Sequence, residues 1–271
     1  MSQAAIETLL RRDRIITVVA LGGLLIAAWG YLLYLAYGMS EVATMPDMPG
    51  MPGMSITMPD MHPWNWIEFG ALVVMWAVMM VAMMIPAAAP MILTFAAVHR
   101  RRTEGGRPGV PTSMFIVGYV LVWSLFSLGA AAGQALLHAR MLLSPEMSAA
   151  SPMLAGAVLI AAGMFQWTPL KRACLSACRS PLSFLMSRWH EGRVGSLRMG
   201  MEHGLYCLGC CWALMALLFV GGVMNLVWIA GIAAIVLIEK VAPRGDVLAR
   251  LAGVVLVAAG VLVAARGGVS G

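Results

Sequence analysis

Uninterrupted apolar runs recur along this chain, several reaching the ~20 residues that a helix needs to cross a bilayer. No other feature restricts the fold so severely. Backbone amides and carbonyls find no partners in hydrocarbon, so a spanning segment is either a helix or part of a closed barrel. The runs are continuous and lack the apolar–polar alternation of barrel strands, which leaves helices. Charged residues make up 11% of the chain and hydrophobic ones 61%, whereas a soluble domain carries about 25% charge. The expected fold is therefore an all-α, polytopic transmembrane helical bundle.

About seven spans are expected, over residues 15–37, 65–85 (continuing towards 98), 112–138, 152–168, 200–221, 223–239 and 247–265. The fourth and sixth are short. Only Gly221-Gly222 separates the fifth from the sixth, which predicts a tight helical hairpin. The organisation expected is an N-terminal segment and first span (1–38), a Met/Pro-rich outer loop (39–63), a core with five spans (64–246) and a last helix with a short tail (247–271).

Basic residues set the orientation. With the N-terminus cytoplasmic, the inner segments hold Arg11, Arg12, Arg14, Arg100, Arg101, Arg102, Arg107, Lys171, Arg172, Arg179, Arg188, Arg193, Arg198, Lys240, Arg244 and Arg250. Only Arg140 and Arg266 fall outside. This is the positive-inside bias of a multi-pass protein. The net charge of +6 thus reflects orientation and contact with the inner leaflet, and no nucleic-acid partner is needed to explain it. The first span exceeds the about 7–15 apolar residues of a signal-peptide core, so it is expected to be retained. No lipidation or nucleotide-binding motif is present, and neither ATP-driven pumping nor a bound nucleotide is expected.

All five cysteines lie between residues 174 and 211. Three form Cys207-Leu208-Gly209-Cys210-Cys211, within a span where polar and reactive side chains are costly. His203 precedes Cys207 by four residues and Cys211 follows it by four, so a helix projects all three from one side, with Cys210 adjacent. Soft thiolates beside an imidazole suit a metal such as Cu(I) if a neighbouring helix completes the site. Cys174 and Cys178 sit four apart in a basic loop expected on the cytoplasmic side, stopped by Ser180-Pro181. Cytosolic thiols stay reduced, which disfavours a structural disulfide. A metal or redox role and unconnected cysteines on an interfacial helix both fit that spacing. The following segment, from Leu182 to His190, is expected to lie in the headgroup layer.

Methionine forms two further groups. Met45, Met48, Met51 and Met54 recur every third residue among prolines, followed by Met58, Met61 and His62. Polyproline II would align these thioethers along one edge, with successive sulfurs ~9 Å apart at ~3.1 Å per residue. That spacing favours a flexible, multi-site collector over one rigid site. Thioethers suit Cu(I) and bind hard divalent ions poorly. A linker whose methionines have no role is the plainer account. Within the second span, Met75, Met79 and Met83 share a face, with Met80 and Met84 beside them. Packing explains such a stripe as readily as ligation does. At ~1.5 Å per residue, Met75 and Met79 lie at the depth closest to the span-five thiols.

Other polar residues invite simpler readings. Glu239 is expected near Glu202 and His203, either as an interfacial ion pair or orienting the His203 ring. Gln134 and His138 end the third span on the outer side, where His138 is either hydrated or joins the methionine segment. Gly129 and Gly133 hint at close helix packing.

The chain resembles a family of bacterial integral membrane proteins with a predicted metal-binding role and otherwise unknown function. The resemblance rests on Met79-Met80-Val81-Ala82-Met83-Met84-Ile85-Pro86 and on the run Gln166-Trp167-Thr168-Pro169-Leu170-Lys171-Arg172-Ala173-Cys174. It continues with Cys178-Arg179-Ser180-Pro181, the run from Gly204 to Trp212, and Glu239-Lys240, within residues 65–245. It implies a multi-pass protein of the bacterial inner membrane that binds metal. The first span and the Met/Pro segment lie outside it.

Two classes of function follow. In the first, outer thioethers capture Cu(I), intramembrane Met and Cys hold it, and it passes to cytosolic thiols, a metallochaperone or a membrane copper enzyme. In the second, Cys207, Cys210 and Cys211 exchange electrons with Cys174 and Cys178. A structural or assembly subunit whose cysteines only pack is a third reading.

Overall fold

The computed structural model describes residues 3–43, 65–104, 112–140, 142 and 151–269. The described residues are helical and contain no strand. Five helical stretches are long and apolar enough to cross a membrane: Thr17–Gly38, Trp66–Arg102, Thr112–Ala139, Gly192–Gly221 and Gly245–Arg266. A sixth arises if a bent pair is taken as one span. The Met/Pro segment, with Met45, Met48, Met51, Met54, Met58, Met61 and His62, lies outside the described residues.

Helix α1 (Gln3–Ala43) packs on α2 (Trp66–Glu104), the most interior of the long helices. Pro86 and Pro90 remove two backbone donors from α2. Neighbouring helices make such gaps tolerable inside a bundle. Helix α3 (Thr112–Ala139) also lies against α2.

The fourth apolar run does not continue as one straight helix. Helix α4 (Pro152–Phe165) has 14 residues and turns by 64° into α5 (Pro169–Arg179). Thr168 caps α5, its Oγ1 accepting from the Lys171 amide at 3.3 Å, and Pro169 occupies the first turn. The short α6 (Pro181–Ser187) buries Phe184 and Leu185 and leaves Leu182 and Met186 exposed.

Helix α7 (Gly192–Ala216) is followed by the one-turn α8 (Leu218–Gly221). Gly222 has φ +91°, and Asn225 then starts α9 (Leu226–Val241), its Oδ1 accepting from the Trp228 amide at 3.1 Å. The Trp228 indole donates to the Leu217 carbonyl at 2.6 Å, closing the turn between α7 and α9. The cap and turn leave α9 with 16 residues. Helix α10 (Gly245–Val269) is the last of the described helices.

Two interfaces bring backbones together. A Cβ at Gly200 of α7 would meet the Phe115 carbonyl, and one at Gly118 of α3 would meet the Leu197 carbonyl. Gly156 and Gly163 of α4 oppose Gly260 and Gly253 of α10, each within 2.9 Å of the facing carbonyl once a Cβ is placed there. Small residues allow this approach, and van der Waals contact then holds the helices. The pair expected from sequence, Gly129 and Gly133, instead meets open space. Small-residue spacing identifies a smooth helix face without showing that a neighbour covers it.

Candidate metal centre

Helix α7 carries the centre. Cys207, Cys210 and Cys211 project from one side of it and are fully buried. Four neighbouring helices, α2, α3, α5 and α9, decide their surroundings. The α5 helix is strongly amphipathic and lays Cys174, Leu175 and Cys178 against α7. Gly209 provides the room, since a Cβ there would sit 2.7 Å from Cys174 Sγ. The Cys178 side chain lies next to that of Cys210, and the Cys211 side chain lies next to those of Cys210 and Cys207. The sulfurs thus form a continuous series, Cys207–Cys211–Cys210–Cys178, with Cys174 beside it.

A thioether joins from α2. Met84 Sδ lies 3.9 Å from Cys211 Sγ. Met75, Met79 and Met83 are buried in the same core, but the sulfur meeting a thiol belongs to Met84, not to Met75 or Met79 as depth alone suggested. The error was one of rotation about α2: Met84 follows Met83 by one residue and so faces about 100° away.

The charged neighbours come from α9 and α5. Lys240 Nζ donates to Cys207 Sγ at 2.8 Å. Tyr119 of α3 places its hydroxyl 3.0 Å from the same sulfur and 3.3 Å from the Met84 carbonyl oxygen. Lys171 and Glu239 form an ion pair at 2.6 Å, with side chains 1% and 4% exposed. Glu239 therefore pairs with Lys171, and not with His203 or at an exposed interface. Glu202 instead pairs with Arg198 at 3.0 Å and Arg188 at 3.3 Å.

His203 occupies the turn below Cys207 and is enclosed by rings. Its centroid lies 6.0 Å from that of Phe115 and 5.7 Å from those of Tyr119 and Phe184. Its Nδ1 is buried with no hydrogen-bond partner among the described residues, as are Glu239 Oε1 and both polar atoms of the Gln166 carboxamide. Elsewhere in the core, Trp76 Nε1 donates to Gln134 Oε1 at 2.7 Å.

The donor set suits a soft ion, but its side chains are turned inward. The Cys210 and Cys211 thiols donate to the Cys207 carbonyl at 3.1 and 2.9 Å, the local back-bonding available to short polar side chains on a helix. Among the described residues, no three Cys, His, Asp or Glu side chains already stand in coordinating geometry. Rotation of these thiols away from the carbonyl would free two sulfurs next to Cys207 and Met84.

The sequence singles out the five cysteines, which the fold brings together, and His203, which it encloses among rings. Sequence reasoning missed Tyr119, Met84 and the roles of Lys171 and Lys240. Both lysines lie in runs that carry the family resemblance. Nothing in the sequence marks Tyr119.

A family model, PpoB2, described as a copper chaperone, matches residues 73–263. No curated protein and no solved structure matches the chain.

Proposed function

Since the chain belongs to the PpoB2 copper chaperone family, we propose that it carries Cu(I) within a membrane on the sulfurs of α7, α5 and α2. The observation that supports this most directly is the convergence of Cys207, Cys210, Cys211, Cys174, Cys178 and the Met84 thioether in one buried pocket. Cu(I) prefers such soft ligands. Adjacent sulfurs of similar character let the ion change partners in small steps from Cys207 and Cys211 to Cys210 and Cys178. No nucleotide is required for such exchange.

In this reading the bundle crosses the bacterial cytoplasmic membrane seven times with its N-terminus inside, α4 and α9 supplying the short crossings. Met45, Met48, Met51, Met54, Met58, Met61 and His62 collect the ion outside. Met75, Met79 and Met83 remain candidate secondary ligands, and His203 borders the pocket. A metallochaperone or a membrane copper enzyme receives the ion.

The test is X-ray absorption on detergent-purified protein loaded with Cu(I). Two or three sulfur neighbours are expected, and their loss when Cys207, Cys210 and Cys211 are changed together to Ser. Undiminished sulfur coordination in that variant would overturn the assignment. The proximity of Cys178 and Cys210 also fits thiol–disulfide exchange. That reading predicts an interhelical Cys178–Cys210 disulfide after aerobic purification, detectable by mass mapping.

A further inference from the structure

We propose that Lys240 makes the sulfur pocket selective for a monovalent soft cation over a divalent one. The inference rests on the copper-carrying reading above and concerns charge, which sulfur preference alone does not decide. Thiolates also bind divalent Zn(II) well, so a second criterion is needed to reject it.

The structure supplies one. Lys240 is 7% exposed, and its ammonium donates to Cys207 Sγ at 2.8 Å. The other buried charges near the pocket, Lys171 and Glu239, cancel each other at 2.6 Å. Met84, Tyr119 and His203 add no charge to the account as a thioether, a phenol and a ring whose Nδ1 meets no carboxylate. Lys240 is therefore the uncompensated positive group facing the cysteines.

Coordination by Cys207 and Cys211 with the neutral Met84 thioether releases two thiol protons. Cu(I) and two thiolates carry one negative charge, which the ammonium of Lys240 neutralises. Zn(II) and two thiolates are already neutral, so the ammonium stays as uncompensated as it is in the metal-free pocket and Zn(II) gains nothing from it. Net charge in a low-dielectric interior is strongly disfavoured. With two thiolates the pocket is thus neutral with the monovalent ion, whereas Zn(II) reaches neutrality only by deprotonating a third thiol.

The decisive variant is Lys240→Met, which keeps length and removes charge. Full-length protein in detergent is titrated with Cu(I) and, separately, with Zn(II), each against a chromophoric chelator. Cu(I) affinity is expected to fall by about 100-fold, equal to about 2.8 kcal/mol at 1.4 kcal/mol per tenfold, while Zn(II) affinity changes by less than about tenfold. Lys240→Arg should keep the wild-type preference. A purely structural role for Lys240 would weaken both metals together, and that parallel loss refutes the proposal, as does no change in either. Lys240→Gln, which retains a donor for Cys207, carries the same expectation should the methionine variant unfold. If the wild type binds no Cu(I), or binds it equally after Cys207→Ser and Cys211→Ser, the copper-carrying reading fails first and the selectivity claim goes with it.

Discussion

Replacing Lys171 by methionine deletes a buried charge while keeping side-chain length, and it should be among the most damaging single changes in the bundle. At the observed 2.6 Å, an effective dielectric of about 20 gives about 6 kcal/mol of attraction between Lys171 and Glu239. Desolvating each ion costs several kcal/mol, so the intact pair adds little net stability. Removing only the lysine is different, because the carboxylate stays buried without its counterion. Such breaks cost about 3–5 kcal/mol. Glu239 has no reserve, since its Oε1 already lacks a hydrogen-bond partner among the described residues. The upper part of that range is therefore expected. Equilibrium unfolding in mixed detergent–SDS micelles, followed by circular dichroism, would measure it. The double variant Lys171→Met/Glu239→Met should recover to within about 1.5 kcal/mol of wild type, because an apolar pair of similar volume replaces the ions. A single variant within about 1 kcal/mol of wild type, or a double variant no better than the single, would refute this account.

Three further outcomes are expected. Gly200→Ala should cost about 1–3 kcal/mol in the same unfolding assay by forcing α7 off the Phe115 carbonyl, whereas Gly133→Ala, facing open space, should change stability by less than about 0.5 kcal/mol. Met84→Leu conserves volume and should shift stability by less than about 1.5 kcal/mol. By chelator competition it should still lower Cu(I) affinity, with the exposed Met186→Leu as the unaffected control. Gly209→Ala places a Cβ 2.7 Å from Cys174 Sγ and should displace that thiol. Faster maleimide labelling of Cys174, with Cys207 labelling unchanged, would show it.

Periodicity reveals how residues share the face of one helix, and there the sequence was informative. The long apolar helices, the α7–α9 turn at Gly222, and the shared face of Cys207, Cys210 and Cys211 all follow from spacing and punctuation. The identity of the facing residues depends on rotation and depth between helices, which a single sequence encodes weakly. That is why the thioether contact fell on Met84 and why Glu239 met Lys171. The apolar run 152–168 closes at the Thr168-Pro169 start signal, and α4 ends just before it at Phe165. That break was legible in kind: an N-cap followed by proline marks a new helix. What could not be read was its angle, and hence that α5 folds back to bury its thiols.

The glycine seam between α4 and α10 reaches further than its own interface. Gly156 and Gly163 fasten α4 to Gly260 and Gly253, and the Trp167 indole donates to the Arg250 carbonyl at 3.2 Å beside the bend. Beyond the bend, α5 carries Cys174 and Cys178 to α7. The last helix therefore acts as a tie-rod: it anchors the lever whose far end presents two of the sulfurs, and its Asp246 also pairs with Arg179 of α5 at 3.5 Å. Loosening that seam would shift Cys174 and Cys178 relative to the α7 trio without substituting any cysteine.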